Sequence, residues 1–480
     1  MPILFDKPIS SPAIVFDLDN TVIDYSRAFA FYAKELPIPC NSQNFSKISL
    51  KKSIFDHFSE LQGHNLWLKL QHQVYTTGLK YAQIDSHFFD CLELIKKMGF
   101  EPWIVSHKSE RSYYDSESPL REYSKNFLFR AGVYNWIPPS RVILTETQDK
   151  KIEAISKIKP ALFIDDMESV ISDNRLSEFN RIHFSNTNTR TTVSTNQWAT
   201  ILLILRTISE LKLKRFRLEA NKASSKNQLI RIAGETKSYL LKIFAKTPQG
   251  REQATHEFEI GNELEKNGLR LLPKRIVQID HSVTMEYLNE CKTAEPHLAY
   301  AALVGFLKKT RTFKSHLRSL NDASTQIEYL SNLHNRLNHL KLDASLRKDI
   351  LSILLQLADF ERFGFDSVEL RFVPSDFIPS HYLISANQGY FLDFESAGMG
   401  DPCRFLAHVL FHPRSQLQIK ECEPFFGELE IDPDRFNRMI PFALLEWVLI
   451  LLKEDQGDRG RLARERLRQF HESNFIFKSM

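Results

Sequence analysis

Two aspartates one residue apart, Asp17 and Asp19, end the apolar run Ala13-Ile14-Val15-Phe16 and are followed by Asn20 and Thr21. Carboxylates held this close repel each other unless a cation or a shared proton offsets the charge. The spacing alone also fits an exposed turn rich in Asp and Asn, so it leaves both readings open. Further polar groups close or open apolar segments downstream. Ser106 ends Pro102-Trp103-Ile104-Val105, Lys150 and Lys151 begin a helical stretch through Ile155, and Asp165-Asp166 end Ala161-Leu162-Phe163-Ile164. In the second half the candidates are Lys242, Glu257, Asp376 and Asp393, each inside or just after a patterned segment.

The elements that must position these groups can be read from their patterns. Residues 13–16, 102–105 and 161–164 are unbroken apolar runs, as in strands buried on both faces. Open parallel sheets hold their sites at the C-terminal ends of such strands, where Asp17, Asp19, Ser106, Asp165 and Asp166 fall. Between the first two strands, Ile54, Phe55, Phe58, Leu61, Leu66 and Leu70 are spaced as in amphipathic helices. Residues 198–203 read as a closing helix, and the basic run 212–217 reads as a solvated helix end or linker. These features predict a domain boundary near residue 207. From Gln228 the pattern turns strand-like, with runs at 228–232 and 238–244 around a turn at Gly234.

Asp-x-Asp-x-Thr, then Ser, then Lys, then Asp-Asp, in this order, resembles the haloacid dehalogenase (HAD) superfamily of phosphohydrolases over roughly residues 10–185. The resemblance implies a Rossmann-like α/β domain over residues 1–206, with a substrate-selecting helical cap within about 25–95. It casts Asp17 as a nucleophile that forms an aspartyl-phosphate. Asp19 would protonate the leaving alcohol and then take a proton from the attacking water. Mg²⁺ would be held by Asp17, Asp165 and the backbone carbonyl of Asp19, with Asp166 as a further ligand or a brace. Ser106 and a lysine would hold the phosphoryl oxygens. Lys151 fits that role better than Lys150, because Ala154, Ile155 and Ile158 continue its helical face. His107 is a lesser candidate for phosphate contact.

The second half resembles the aminoglycoside phosphotransferase and choline kinase-like group over about residues 215–460. The likeness rests on Lys242 in Ser238-Tyr239-Leu240-Leu241-Lys242-Ile243-Phe244, on His256-Glu257, and on residues 283–290. It also rests on Pro374-Ser375-Asp376, on Asp393-Phe394-Glu395, and on the tail Gly398-Met399-Gly400-Asp401-Pro402. It implies a bilobal kinase-like α+β domain over residues 207–480, using ATP and Mg²⁺. Lys242 would grip the nucleotide phosphates and Glu257 would pair with it. Met285 and Tyr287 belong to the segment expected to meet adenine, Asp376 would take the acceptor's proton, and Asp393 would bind Mg²⁺. Asp401 would anchor the loop after the metal site. Two departures stand out. The phosphate-covering loop falls within residues 221–227, which contain no glycine, so Ser224, Ser225 and backbone amides would have to substitute. His381 occupies the place of a metal-binding asparagine, and imidazole is a softer ligand for Mg²⁺.

Composition fits a two-domain enzyme: 480 residues suffice for two ordinary cores. A net charge of +4 is too small to imply a nucleic-acid or membrane surface. Cysteines at 40, 91, 291, 403 and 422 have no paired spacing, which fits a reducing compartment without structural zinc. No secretory signal pattern opens the chain, and residues 439–452, the most apolar stretch, carry Glu446 and are too short for a bilayer. A cytoplasmic location is therefore expected. Basic and aromatic residues interleave at 308–314, which reads as a solvated face ahead of a lip for an anionic acceptor. Three functions follow as expectations. One is a phosphatase fused to a kinase for a small-molecule hydroxyl, such as a sugar or amino alcohol. The second is a phosphatase with a degenerate kinase-like binding module, and the third is a kinase acting on a macromolecule.

Overall fold

Four consecutive apolar residues, all buried, make β1 (Ala13–Phe16) a central strand of a parallel sheet. The computed structural model describes residues 12–36, 47–186, 192–221, 227–317, 319, 326–358, 369–374, 376–385, 388–415, 417–418, 422–453 and 457–472. It divides into two units, Met1–Lys242 and Ile243–Met480.

In the first unit β1 is followed by α1 (Ser26–Ala33), α2 (Lys47–His57), α3 (Glu60–Tyr75) and α4 (Ser86–Lys97). Then come β2 (Glu101–His107), α5 (Leu120–Arg130), β3 (Val142–Thr145), α6 (Gln148–Ile158) and β4 (Leu162–Asp165). The rest is α7 (Glu168–Ile171), β5 (Asn180–His183), β6 (Val193–Ser194) and α8 (Trp198–Glu210). The sheet order is β3-β2-β1-β4-β5-β6 with every pairing parallel. The order reverses between β1 and β4, and the crevice outside such a switch point is where open α/β sheets bind ligands. Register sets Phe16 opposite both Ile104 and Ile164; β4 ends one residue later at Asp165, and β2 runs on through Ser106 to His107.

Helices α1, α2 and α3 pack on one another, whereas α4 packs on β2 and α8. Among the described residues of 25–95, where a cap is expected, α1–α3 pack on one another and α4 packs on the sheet. Phe16, Phe88 and Trp198 meet at ring distances of 4.8–5.7 Å and tie β1, α4 and α8 into one core. Edge-on aromatic pairs of this kind add to the burial they share. After α8 come β7 (Arg217–Ala220) and β8 (Gln228–Ala233), an antiparallel pair, and then β9 (Ser238–Ile243). The buried Asn180 binds β7 to the parallel sheet. Its Nδ2 donates to the carbonyls of Ala161 and Phe216, both at 2.7 Å, and its Oδ1 accepts from Leu218 N at 2.8 Å.

The second unit opens with α9 (Pro248–Lys266), capped by Thr247, whose hydroxyl accepts from Gly250 N at 3.1 Å. The antiparallel pair β10 (Arg275–Ile279) and β11 (Ser282–Glu286) packs on α9. Beyond it lie β12 (Lys292–Thr293), α10 (Pro296–Lys309), α11 (Gln326–Asn338), α12 (Ala344–Ala358) and β13 (Arg371–Val373). Next are β14 (Tyr382–Ile384), β15 (Gly389–Phe391) and β16 (Gly398–Gly400), with β12-β14-β15 forming one small sheet and β13-β16 another. The chain closes through α13 (Pro402–Phe411), α14 (Glu423–Leu429), α15 (Pro433–Leu452) and α16 (Asp458–Glu472). Phe306, Phe372, Phe394 and Leu406 lie in one core; Leu333, Ile353, Leu445 and Ala463 lie in another. The apolar stretch 439–452 falls in α15, whose Glu446 is buried and accepts from Tyr329 Oη at 2.7 Å. Among the described residues no helix is long and apolar enough to cross a membrane. The basic stretch on α10 meets acidic partners on and after α14, Lys308 with Glu428 and Arg311 with Glu430.

Candidate active sites

In the first unit, the parallel sheet brings together the groups that the sequence scatters over 150 residues. Asp17 leaves the end of β1 with its N–H bonded to the Ile164 carbonyl at 2.9 Å, which fixes it beside β4. Its Oδ1 accepts from Ser106 Oγ on β2 at 2.9 Å and from Lys151 Nζ on α6 at 2.5 Å. Lys151 also lies 2.6 Å from Asp165 Oδ2, as an ion pair rather than a directed hydrogen bond. The Lys151 side chain is only 2% exposed and Asp165 1%, so this charge contact is screened by almost no water. Lys150 faces outward and pairs with Glu146 at 2.6 Å. The difference follows from the helical face: Lys151 shares the buried side of α6 with Ile152 and Ile155.

Asp17, Asp165 and Asp166 each place a carboxylate oxygen within 4.8 Å of the others. Burial first, and then repulsion from Asp17, push Asp165 up to about 6 against the pull of Lys151. Burial, Asp17 and Asp165 together push Asp166 up to about 8. One ammonium, in contact with Asp17 and Asp165 alone, thus faces three crowded carboxylates, and a hard divalent cation with oxygen preference fits this donor set. Burial alone would lower the Lys151 ammonium, but Asp17 and Asp165 outweigh it and hold it above its usual value.

Asp19 sits apart from that cluster. Lys108 Nζ bonds both of its oxygens, at 3.0 and 2.8 Å, and Tyr25 Oη donates to Oδ1 at 2.8 Å. Burial would raise Asp19, yet the Lys108 ammonium and these hydrogen bonds hold it below the usual carboxylate range. The Lys108 ammonium lies 4.1 Å from the Tyr75 ring centroid, and Lys47 Nζ donates to Tyr75 Oη at 2.9 Å. Sequence reading passed over Lys108, Tyr25 and Lys47. A signal for Lys108 existed: it stands two residues after Ser106, the spacing that returns a side chain to the same face of a strand. His107, the residue weighed instead, faces away and contacts the Glu146 carbonyl at 2.9 Å.

The second unit gathers a separate set. Glu257 on α9, Asp393 and Glu395 place carboxylate oxygens within 4.8 Å of one another. Asp393 has φ 66°, a left-handed conformation that costs a non-glycine residue energy and recurs at functional sites. Glu257 accepts from Arg275 Nη2 at 2.9 Å, with both side chains 1% exposed. Burial lowers the Arg275 guanidinium, and Glu257 opposes that shift. His381 Nε2 stands 3.7 Å from Asp393 Oδ2. Asp376 Oδ1 is buried and makes no hydrogen bond among the described residues; His412 Nε2 lies 3.7 Å away. His256 bonds the Ala397 carbonyl, tying α9 to the segment after Asp393. Asp401 caps α13 through Cys403 N at 2.9 Å and accepts from Arg435 Nη2 at 2.7 Å, so it does anchor this segment.

Lys242 is buried near the end of β9. Met285 is buried on β11, and Tyr287 follows the strand, half-buried. Ser224 and Ser225 lie outside the described residues. Arg275, Glu395 and His412 had not been singled out. Glu395 could have been, since it stands two residues from Asp393 in the same motif; nothing in the local sequence marks Arg275.

Comparison with known proteins gives a match for the second half. Residues 218–436 match the model of the phosphotransferase enzyme family. That stretch is therefore a kinase-like phosphotransferase domain. The chain is similar to a choline kinase from Streptococcus pneumoniae, at 19% identity and TM-score 0.44, over 57% of this chain and 99% of that one. It is similar to an ethanolamine kinase from Plasmodium vivax, at 14% identity and TM-score 0.42, over 63% of this chain and 93% of that one. It is also similar to an aminoglycoside phosphotransferase in a ternary complex with streptomycin and ATP, at 15% identity and TM-score 0.43, over 56% and 95%. No curated protein matches the chain.

Proposed function

We propose that this chain joins two phosphate-transfer enzymes, a Mg²⁺-dependent phosphatase of HAD type in residues 1–206 and an ATP-dependent small-molecule kinase in residues 207–480. The observation that carries the phosphatase half is the convergence of Ser106, Lys151 and Asp165 on Asp17 at the switch point of a parallel sheet. With Oδ1 held by Ser106 and Lys151, Oδ2 of Asp17 is the oxygen left to attack phosphorus. A bond forms from Asp17 to phosphorus as the bond to the leaving alcohol breaks, and the alcohol takes its proton from Asp19. Water then attacks the aspartyl-phosphate and gives its proton back to Asp19, and phosphate departs. Lys108 favours the ionised Asp19 that this second step needs. Mg²⁺ held by Asp17, Asp165, Asp166 and the backbone carbonyl of Asp19 would offset their charge and draw electron density from the phosphoryl oxygens.

The kinase half follows from the family match over residues 218–436. Asp376 takes the proton of the acceptor hydroxyl, and Lys242 holds the nucleotide phosphates. Met285 and Tyr287 line the adenine site; Ser224 and Ser225, expected from the sequence to cover the phosphates, lie outside the described residues. Asp393, with Glu257 and Glu395 beside it, would supply the oxygen ligands for Mg²⁺. The acceptor class we assign, a sugar or amino alcohol, rests on fold-level analogy.

One observation favours a second reading, a kinase-like domain that binds nucleotide without transferring phosphate. His381, beside Asp393, offers imidazole where an amide oxygen would suit Mg²⁺ better. The test is to assay the full chain with Mg²⁺ for hydrolysis of p-nitrophenyl phosphate and for transfer of labelled phosphate from ATP to a panel of hydroxyl compounds. Asp17→Asn should abolish hydrolysis alone and Asp376→Asn transfer alone. Hydrolysis that survives in Asp17→Asn overturns the phosphatase reading. MgATP binding without transfer to any acceptor or to water favours the second reading.

A further inference from the structure

His412 follows the last residue of α13 and stands 36 residues after Asp376, yet the fold points its ring at that carboxylate. Its Nδ1 accepts a hydrogen bond from the backbone N–H of Arg414 at 3.0 Å. A backbone N–H is only ever a donor, so Nδ1 must be unprotonated. The proton of the neutral ring therefore sits on Nε2, the atom 3.7 Å from Asp376 Oδ1. That oxygen is buried and makes no hydrogen bond among the described residues, although the Asp376 side chain as a whole is 38% exposed. The Trp447 indole packs edge-on against the His412 ring at 4.6 Å and holds it in place. The same indole lies 4.6 Å from the His408 ring and donates through Nε1 to the His408 carbonyl at 2.9 Å, which fixes the indole in turn.

We propose that His412 is a positioning residue for Asp376: its Nε2–H faces Oδ1 at 3.7 Å, fixes the carboxylate by charge–dipole attraction and leaves the other carboxylate oxygen to take the acceptor's proton. The inference rests on the kinase reading of Asp376. During transfer, the acceptor oxygen bonds to the γ-phosphorus as the bond from that phosphorus to the ADP oxygen breaks. The hydroxyl proton moves to the free oxygen of Asp376, and His412 keeps its own proton throughout. The groups that face His412 are Asp376, His381, His408 and Arg414. Burial, against the pull of Asp376, lowers His412 to about 4, in keeping with a ring that stays neutral.

The test uses the full chain with MgATP and water as acceptor, measuring ADP formation above the Asp376→Asn background. His412→Phe keeps a ring against Trp447 but has no donor; His412→Gln returns an N–H near the place of Nε2. Losing the N–H donor that faces the Asp376 carboxylate predicts a fall of about tenfold or more in kcat for His412→Phe, with KM for MgATP unchanged. His412→Gln should recover most of that loss, and thermal unfolding of both variants checks that they fold. Equal activity in wild type, Phe and Gln variants overturns the proposal, as does an equal loss in both folded variants. Should the wild type form no ADP above background with water or with any compound of the hydroxyl panel, the kinase reading itself fails. Nitrogen–proton spectra of the histidine-labelled chain then decide the contact independently. A neutral His412 protonated on Nε2 at pH 7, with a shift on Asp376→Asn, supports it; protonation on Nδ1, or no shift, overturns it.

Discussion

Replacing Lys151 with methionine tests the charge logic of the first site. The stem keeps its packing beside Ile152 and Ile155, while the ammonium that contacts Asp17 at 2.5 Å and Asp165 at 2.6 Å is lost. Breaking a buried ion pair by removing one partner costs about 3–5 kcal/mol. Protonation of the remaining carboxylates limits that cost, so we expect about 3 kcal/mol at pH 8. For a unit of this size that corresponds to a fall of roughly 6–12 °C in Tm. The pH dependence has a definite sign. Asp165 and Asp166 are raised from 3.8 to about 6 and about 8, so across that range the folded state binds more protons than the unfolded one. Stability contributed by such groups is present at low pH and lost as pH rises through the folded values. Removing Lys151 raises them further, so the deficit of the variant should shrink as pH falls from 8 towards 5. Mg²⁺ at about a hundred times its Kd should return about 2.7 kcal/mol at pH 8. Four of the five tryptophans (67, 103, 136 and 198) lie in the first unit, so fluorescence-detected unfolding reports on it selectively. A variant as stable as wild type at pH 8, or one whose deficit grows on acidification, refutes the reasoning.

Other perturbations separate the remaining roles. Asp17→Asn should reduce p-nitrophenyl phosphate hydrolysis by about a thousandfold or more without lowering Tm, since the nucleophile is removed and a crowded negative charge is relieved. Lys108→Met removes the ammonium that holds Asp19 low; the limb of the pH–rate profile set by Asp19 should move to higher pH, and an unmoved limb would detach Lys108 from the chemistry. Arg275→Met removes the guanidinium bonded to the buried Glu257 and should destabilise the second unit by about 3 kcal/mol in a calorimetric scan. Adding Glu257→Gln to that variant should recover part of the loss, and strict additivity would contradict a direct pair.

The part of this architecture that was open to reading from sequence is the part set by local pattern. The unbroken apolar runs ending in Asp17, Ser106 and Asp165 became parallel strands, and side-chain periodicity on α6 distinguished Lys151 from Lys150. What local pattern lacks is the partner brought in from far along the chain. Lys108 reaches Asp19 across 89 residues, and His412 reaches Asp376 from beyond α13. Arg275 is a basic residue at the start of a strand; only the packing of β10 on α9 makes it the counter-charge of Glu257. The boundary expected near 207 followed a change in composition, whereas Asn180 joins the later strand β7 to the first sheet through backbone groups, which composition does not register.

Two independent phosphate sites, one in residues 1–206 and one in residues 207–480, are the central claim, and MgATP calorimetry on the full-length chain tests it most directly. Wild type and Asp17→Asn should bind one MgATP with the same affinity, while Asp393→Asn and Lys242→Ala should lose that binding. MgATP binding abolished by Asp17→Asn but untouched by Asp393→Asn would place the nucleotide in residues 1–206 and contradict the account.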